Sequence, residues 1–263
     1  MWSNFHELGW KIFPKDENIY EWAKYAKTWV ETKIRRREYE NSQLRCGGTW
    51  FAGVNFLEND FSGGLGNVPL SGIPIAQIKS KYGHYFTKWD KAQVSICYPG
   101  YPKRIENESD KAFSYRKDKY GAHVDGIIPV GNARSRYFRE PHAFVLGVVL
   151  SDFNKDAAPL VVWEKSHKII HSSIYEKLKP HQPHLWYNIE VTKDYQNARR
   201  LIFKNCRQTT IWAPVGSCFL VHRHSLHGIK PWGLRGTSEA CGRMIAYFRP
   251  EFEEKETWLC DQI

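Results

Sequence analysis

From about residue 92 onward the apolar residues gather in short runs: Gln93 to Tyr98, Phe144 to Leu150, Leu160 to Trp163, Thr209 to Trp212, Cys218 to Val221 and Met244 to Phe248. Each has the length of a strand rather than a helix, and turn-forming residues separate them. Short strands in this arrangement predict a β-sandwich or barrel. Between them lie an Asp/Asn turn over Asp152 to Asp156 and a polar excursion from His167 to Arg200, which has room for one or two short helices.

The chain before residue 91 reads differently. Ile19, Trp22, Ala23, Ala26, Trp29, Val30 and Ile34 recur at helical steps between Asn18 and Arg37, and the basic end suits the helix dipole. A shorter helix is expected over Pro74 to Tyr82, after the loop Ser62 to Asn67. That loop is rich in Gly but lacks the strand-turn-helix context of a dinucleotide site. With 263 residues, 42% hydrophobic and 15% aromatic, the chain is expected to form one domain over residues 1–263. Residues 1–90 would be a mostly helical buttress and 91–250 the β core. No internal repeat or low-complexity tract is visible.

Composition narrows the function classes. The six cysteines (Cys46, Cys97, Cys206, Cys218, Cys241 and Cys260) include no CxxC pair, so free thiols in a reducing cytoplasm are the simplest expectation. No stretch has the apolar length of a membrane span, and the N-terminus has no signal-like pattern, so a soluble cytoplasmic protein without membrane partners is expected. The net charge is +10. Its basic residues are dispersed apart from Lys33 to Arg37, Arg116 to Lys119 and Arg134 to Arg139, which argues against nucleic acid and leaves room for an anionic small molecule.

Two segments carry chemistry. His123-Val124-Asp125 on extended backbone points an imidazole and a carboxylate the same way, so both can reach one metal. About a hundred residues later, a strand opened by Gly216 is followed by His222, His224 and His227, any of which could be a third ligand, with the spacing favouring His227. Two histidines and one carboxylate on one face of a metal leave adjacent positions open, the arrangement that non-haem Fe(II) oxygenases need. Downstream, Arg243 begins the strand Arg243 to Phe248, and its planar fork could grip a carboxylate through two parallel hydrogen bonds.

A Gly eleven residues before a His-Gly pair, with apolar residues between, resembles the distal-histidine strand of the phytanoyl-CoA dioxygenase-like family within the Fe(II)/2-oxoglutarate-dependent oxygenases. The segment Pro159 to Lys168 resembles the same family where a strand enters a Gly-Ser-His-Lys turn, although Lys165 stands where Gly is usual. The elements follow in the family's order over residues 93 to 250. The resemblance implies a mainly β double-stranded β-helix, a cupin-like jelly-roll with flanking helices. It implies Fe(II) on His123, Asp125 and His227, 2-oxoglutarate as co-substrate with its far carboxylate on Arg243, dioxygen, and hydroxylation of a small-molecule substrate with release of succinate and CO2.

Three departures keep alternatives open. The 16-residue gap from His227 to Arg243 is longer than the family's usual gap, which keeps Arg235 as a rival. Arg243 and Arg249 lie six apart, as do two arginines in the nucleic-acid demethylase branch of the superfamily, but Ile245 replaces that branch's Asn. A non-catalytic metal-binding cupin is the third reading. Related halogenases lack the carboxylate ligand, so Asp125 disfavours halogenation. Arg134, Arg136 and Arg139, close after Asp125, could pair with an anionic substrate, Trp163 could face the pocket, and Tyr101 to Tyr120 could form a lid.

Overall fold

Strands that are apolar at consecutive positions must be covered on both faces, so the runs noted above demand a second layer on each side of a sheet. The computed structural model describes residues 2–239 and 241–259; Cys260 lies outside them. The strands in chain order are β1 (Trp10–Phe13), β2 (Leu44–Arg45), β3 (Trp50–Gly53), β4 (Gln93–Cys97), β5 (Ile127–Val130), β6 (Ser135–Phe138) and β7 (Phe144–Val149). They continue with β8 (Leu160–Trp163), β9 (Gln208–Ile211), β10 (Cys218–His222), β11 (His227–Ile229) and β12 (Arg243–Phe248). The helices are α1 (Ser3–Leu8), α2 (Glu17–Arg35), α3 (Ile73–Tyr82), α4 (Asp110–Asp118), α5 (Ser166–Leu178) and α6 (Thr192–Asn205).

A major sheet in the order β1-β10-β7-β12-β4-β3-β2 faces a minor sheet in the order β11-β8-β9, and every pairing is antiparallel. The chain winds between them. From β4 in the major sheet it passes to the His123 segment, which bridges to β11 at the edge of the minor sheet. It returns to β7, crosses to β8 and β9, returns to β10, crosses to β11 and ends in β12. This winding is the double-stranded β-helix of a jelly-roll.

Alternate residues of each strand serve different cores. Val145, Val149, Leu160, Val162, Phe219, Val221, Ile245 and Tyr247 meet between the two sheets. Phe144, Leu146, Val148, Leu220, Met244, Ala246 and Phe248 face outward, into the core that the helices complete. Helix α2 covers the outer face with Ile19, Trp22, Ala23, Ala26 and Val30, and the Trp22 ring packs on Phe248 at 5.6 Å. Behind the minor sheet, Trp163 packs on Phe203 of α6 at 5.4 Å.

The first ninety residues are not only helical. β1 pairs with β10, and β3 with β4, extending the major sheet at both sides. Segments as short as Trp10–Phe13 and Trp50–Gly53 carry too little pattern to reveal a strand; they become strands because the open edges of β10 and β4 supply partners. The excursion between β8 and β9 forms two full helices, α5 and α6. No helix among the described residues is long and apolar enough to cross a membrane.

One carboxylate ties two helix starts together. Asp16 caps α2 by accepting from the backbone N–H groups of Asn18 and Ile19 at 3.0 and 3.3 Å, and its other oxygen accepts from Ile73 N at 3.0 Å at the start of α3. Gly72 (φ +108°) makes the approach possible, since a Cβ there would lie 2.2 Å from Asp16 Oδ1. Asp16→Ala is expected to cost about 1–2 kcal/mol of stability, read by chemical denaturation; a change below a few tenths would deny the cap its role.

Candidate metal centre

The turn after β10 decides which histidine faces the interior. His222 ends β10 on the sheet's outer face, against Phe5 at 5.7 Å, and His224 is fully buried against Trp258 at 4.2 Å. Leu226 N then donates to Ser166 Oγ at 2.9 Å and Trp163 N to Leu226 O at 3.0 Å, which fixes the entry into β11. His227 follows. Its backbone exchanges both hydrogen bonds with His123, N to O at 2.8 and 3.0 Å. Val124 N donates to the Tyr195 hydroxyl at 3.1 Å, so α6 holds the segment between His123 and Asp125.

These constraints bring one nitrogen each from His123 and His227 and one Asp125 oxygen within 4.8 Å of one another, the one such group among the described residues. His123 Nδ1 lies 3.0 Å from Gly121 O, and His227 Nδ1 3.0 Å from Ser225 O. A carbonyl only accepts, so each Nδ1 carries a proton and each Nε2 is the nitrogen left to face a metal. Both Nε2 atoms face the Asp125 carboxylate, at 3.2 Å from His123 and 3.8 Å from His227.

Charge is balanced inside this group. Burial alone would raise the Asp125 pKa, but the Arg249 guanidinium, with Nε 2.6 Å away, and the two histidines hold it well below the usual carboxylate range. Burial pulls His227 down to about 4, with Asp125 opposing. For His123, burial also pulls downward, but the Asp125 hydrogen bond and charge outweigh it and leave the pKa raised. The donor set is therefore one ionised carboxylate and two imidazoles that present Nε2, a combination suited to a divalent transition metal that displaces the proton His123 shares with Asp125.

The group opens on a cavity of about 830 Å³ that reaches between the sheets, where Val145, Leu160, Val221 and Tyr247 line it. Behind this wall stands Arg243, fully buried, on the same strand face as Ile245 and Tyr247. Its Nη2 donates to Cys97 Sγ at 3.2 Å and its Nη1 reaches Tyr247 Oη at 3.4 Å, while Nε has no partner. No carboxylate among the described residues pairs with it. A buried guanidinium without a counter-charge is a costly arrangement that an incoming carboxylate relieves.

The other candidates fall at different distances from this centre. Arg235 is exposed on the β11–β12 connection, and its carbonyl accepts from Asn154 Nδ2 at 2.6 Å. Arg134 and Arg136 line the cavity. Arg136 is half-buried, stacks over Tyr195 at 5.6 Å and donates to Ile127 O at 3.2 Å. Arg139 is exposed and stacks over Tyr137 at 5.2 Å, and Trp163 is buried behind the minor sheet; neither lines the cavity. Within Tyr101 to Tyr120, α4 is pinned by the Arg116–Glu108 and Arg104–Asp110 ion pairs.

Sequence reasoning noted Arg249 for its spacing alone and missed its contact with Asp125. The signal was the two-residue period of β12, which puts Arg243, Ile245, Tyr247 and Arg249 on one face. Tyr195, Trp50 and Tyr101, the last two in the cavity wall, carried no signal, because distant segments bring them in.

No protein-family model and no curated protein sequence matches this chain. Solved structures do. AviO1 from Streptomyces viridochromogenes Tue57 superimposes with a TM-score of 0.52 at 11% identity, covering 95% of this chain and 92% of that one. The non-heme α-ketoglutarate-dependent epimerase SnoN from nogalamycin biosynthesis gives 0.48 at 12% identity, over 94% and 78%. EctD from S. alaskensis, solved with 2-oxoglutarate and 5-hydroxyectoine, gives 0.45 at 10% identity, over 94% and 73%. At 11% identity the likeness to AviO1 is one of fold, and it agrees with the jelly-roll winding traced above.

Gly228 lets the two ligand segments approach. A Cβ there would lie 2.4 Å from Tyr120 O and 3.2 Å from Ala122 Cα, all backbone that cannot yield without separating β11 from the His123 segment. Gly228→Ala is expected to destabilise the protein by about 1–3 kcal/mol and to weaken binding of a divalent metal by about tenfold or more. Denaturation and metal titration of the same preparation check this; unchanged metal affinity would mean the approach is not needed.

Proposed function

We propose that this protein is an Fe(II)/2-oxoglutarate-dependent dioxygenase of the phytanoyl-CoA dioxygenase-like type, hydroxylating a small anionic metabolite with release of succinate and CO2. The observation that carries the reading is the joint placement of a two-histidine, one-carboxylate group that opens on a cavity and a buried, carboxylate-free Arg243 just behind that cavity's wall. Neither feature serves a purely structural core, where a buried cation and three converging ligand groups are liabilities.

His123, Asp125 and His227 would hold the iron through two Nε2 atoms and one carboxylate oxygen. Iron bound there with 2-oxoglutarate and dioxygen supplies the oxidising power for hydroxylation. Arg249 keeps Asp125 ionised and oriented toward the histidines. Tyr195 fixes the strand between two of the ligands. Arg243 would receive the far carboxylate of 2-oxoglutarate, its open Nε and adjoining Nη groups replacing weak contacts to a thiol and a phenol. Val145, Leu160 and Val221 keep water from the inner cavity. With Asp125 filling the carboxylate position, hydroxylation rather than halogenation is the outcome this centre favours.

The substrate is read from the outer cavity. Arg134 and Arg136 have no carboxylate partner among the described residues, and exposed Arg45, Lys88 and Lys91 add positive charge at the rim. A carboxylate, phosphate or sulfate group on the substrate would meet Arg136, the least exposed of these guanidiniums. Arg139 and Trp163 would act on that region from behind, through Tyr137 and Tyr120 respectively.

Anaerobic titration of the apoprotein with Fe(II) and 2-oxoglutarate is expected to develop the weak visible charge-transfer band of their chelate. His227→Ala should abolish it, and Asp125→Ala should abolish 2-oxoglutarate turnover in a folded protein. A folded wild-type protein that binds Fe(II) but shows no band would instead be a non-catalytic metal-binding cupin. Arg243→Leu is expected to weaken 2-oxoglutarate binding by about a hundredfold while Fe(II) affinity alone stays within about twofold; equal 2-oxoglutarate affinity would remove Arg243 from this role.

A further inference from the structure

The metal cavity is lined by one buried-side charge that neither the iron site nor the co-substrate uses. Asp90 lies just before β4, half-buried in the cavity wall. Building on the oxygenase reading, we infer that Asp90 is a cation subsite of this cavity, so that the substrate carries an amine as well as its anionic group and belongs to the zwitterionic, amino-acid type of metabolite.

The carboxylate is held in a fixed place. Asn59 Nδ2 donates to the Asp90 carbonyl at 2.9 Å, and Asn59 Oδ1 accepts from Ala92 N at 2.9 Å. The neighbouring Trp89 is buried, and its backbone N–H donates to Phe61 O at 2.9 Å. Asp90 Oδ1 accepts from Arg249 N at 2.7 Å. That bond needs an acceptor but no negative charge, and an asparagine oxygen would serve it. The other donor to the carboxylate is its own backbone N–H.

What the side chain lacks is a counter-charge. Among the described residues no basic side chain forms an ion pair with it, and the Arg249 guanidinium and the His142 ring bear on it only at longer range. Both are committed elsewhere. Arg249 donates Nε to Asp125 at 2.6 Å and Nη1 to Gln93 at 3.0 Å, and His142 lies between Arg249 O at 3.1 Å and Glu140 at 2.9 Å. Burial therefore raises the Asp90 carboxyl to about 6, more than the Arg249 N–H and charge lower it. Lys88 and Lys91 flank it in the chain, but both are exposed, and Lys88 lies over the Phe61 ring at 5.5 Å. The other acids of the lining differ: Asp125 is compensated by Arg249, Glu140 pairs with His142, and Glu251 is exposed. A partly desolvated carboxylate keeps its charge at a cost that an arriving ammonium group relieves.

The two subsites come from different layers of the fold. Arg136 stands on the β5–β6 hairpin and donates its backbone N–H to Thr192 Oγ1 at 2.7 Å, at the start of α6. Asp90 belongs to the loop that enters the major sheet at β4. A molecule that meets both carries its two charges at separate points. A metal ion is the competing occupant, and the lining gives it too few ligands: Asp90, Glu140 and Glu251 do not converge, the His123 group being the one such set among the described residues.

The test is calorimetric titration of the Zn²⁺-loaded protein with 2-oxoglutarate present. The probes are the protein α-amino acids, γ-aminobutyrate, δ-aminovalerate and ε-aminocaproate, each beside the same acid without the amine and with the amine acetylated. At least one amino-bearing acid is expected to bind with a Kd of about a millimolar or tighter, and its desamino and N-acetyl counterparts about tenfold or more weakly. Asp90→Asn keeps the acceptor for Arg249 N and should weaken that amino acid about tenfold or more, while affinity for the desamino acid stays within about twofold. Should Asp90→Asn not fold, the comparison of amine with acetylated amine in the wild type decides. The proposal is overturned if no amino-bearing acid binds, if the desamino or acetylated acids bind as tightly, or if Asp90→Asn retains full affinity for the amine. The Fe(II)–2-oxoglutarate band separates the two ideas: a band without amine-selective binding sinks the zwitterion alone, whereas amine-selective binding without a band supports the cation subsite and sinks the oxygenase reading.

Discussion

The structure turns on a single reciprocal backbone pair. His123 and His227 exchange N–H to O hydrogen bonds of 2.8 and 3.0 Å, and in doing so they close the minor sheet at its edge. Because side chains on antiparallel neighbours that face each other project to the same side, this one pair sets both imidazoles over the same cavity, and the two-residue period adds Asp125. Everything around it serves the approach: Gly228 has no side chain to hold the strands apart, Tyr195 anchors Val124, and Ser166 pins Leu226. A jelly-roll is suited to this because successive turns of the chain bring residues a hundred positions apart to adjacent strands.

Buried charge is the second organising fact. The centre contains a carboxylate that is compensated, by Arg249 and two imidazoles, and a guanidinium that is not, Arg243. The asymmetry is informative, since an ionised group with all its partners in the fold is structural capital, whereas one lacking a counter-charge is oriented toward something that arrives. The β10–β11 turn presents His227 to the metal cavity and turns His222 and His224 away from it, with the alternation of β10 and the tight turn deciding which goes where.

Much of this was legible in the chain. The short apolar runs located β4, β7, β8, β9, β10 and β12 nearly to the residue, because burial on both faces writes a continuous apolar signal that needs no partner to be read. The periodic face of α2 was legible for the same reason. The strands β1 and β3 were not, since they exist only because β10 and β4 offer open edges. His227 was preferred over His222 and His224 on spacing, and the fold does set it beside His123 and Asp125. Arg249 was noted for its distance from Arg243 but not for the contact it makes, which depends on where the His123 segment crosses.

By itself the sequence determined a β architecture, the order of its strands and a short set of residues able to ligate a metal, because hydrophobic periodicity and side-chain chemistry are local properties. Only the tertiary structure decided which of three histidines shares a cavity with Asp125, that Arg243 is buried without a carboxylate while Arg235 is exposed, and that Arg136 lines the cavity while Arg139 and Trp163 stand outside it. Those outcomes rest on strand register and on the sheet face each side chain takes. Both are fixed by pairings between segments far apart in the chain, which local sequence does not encode.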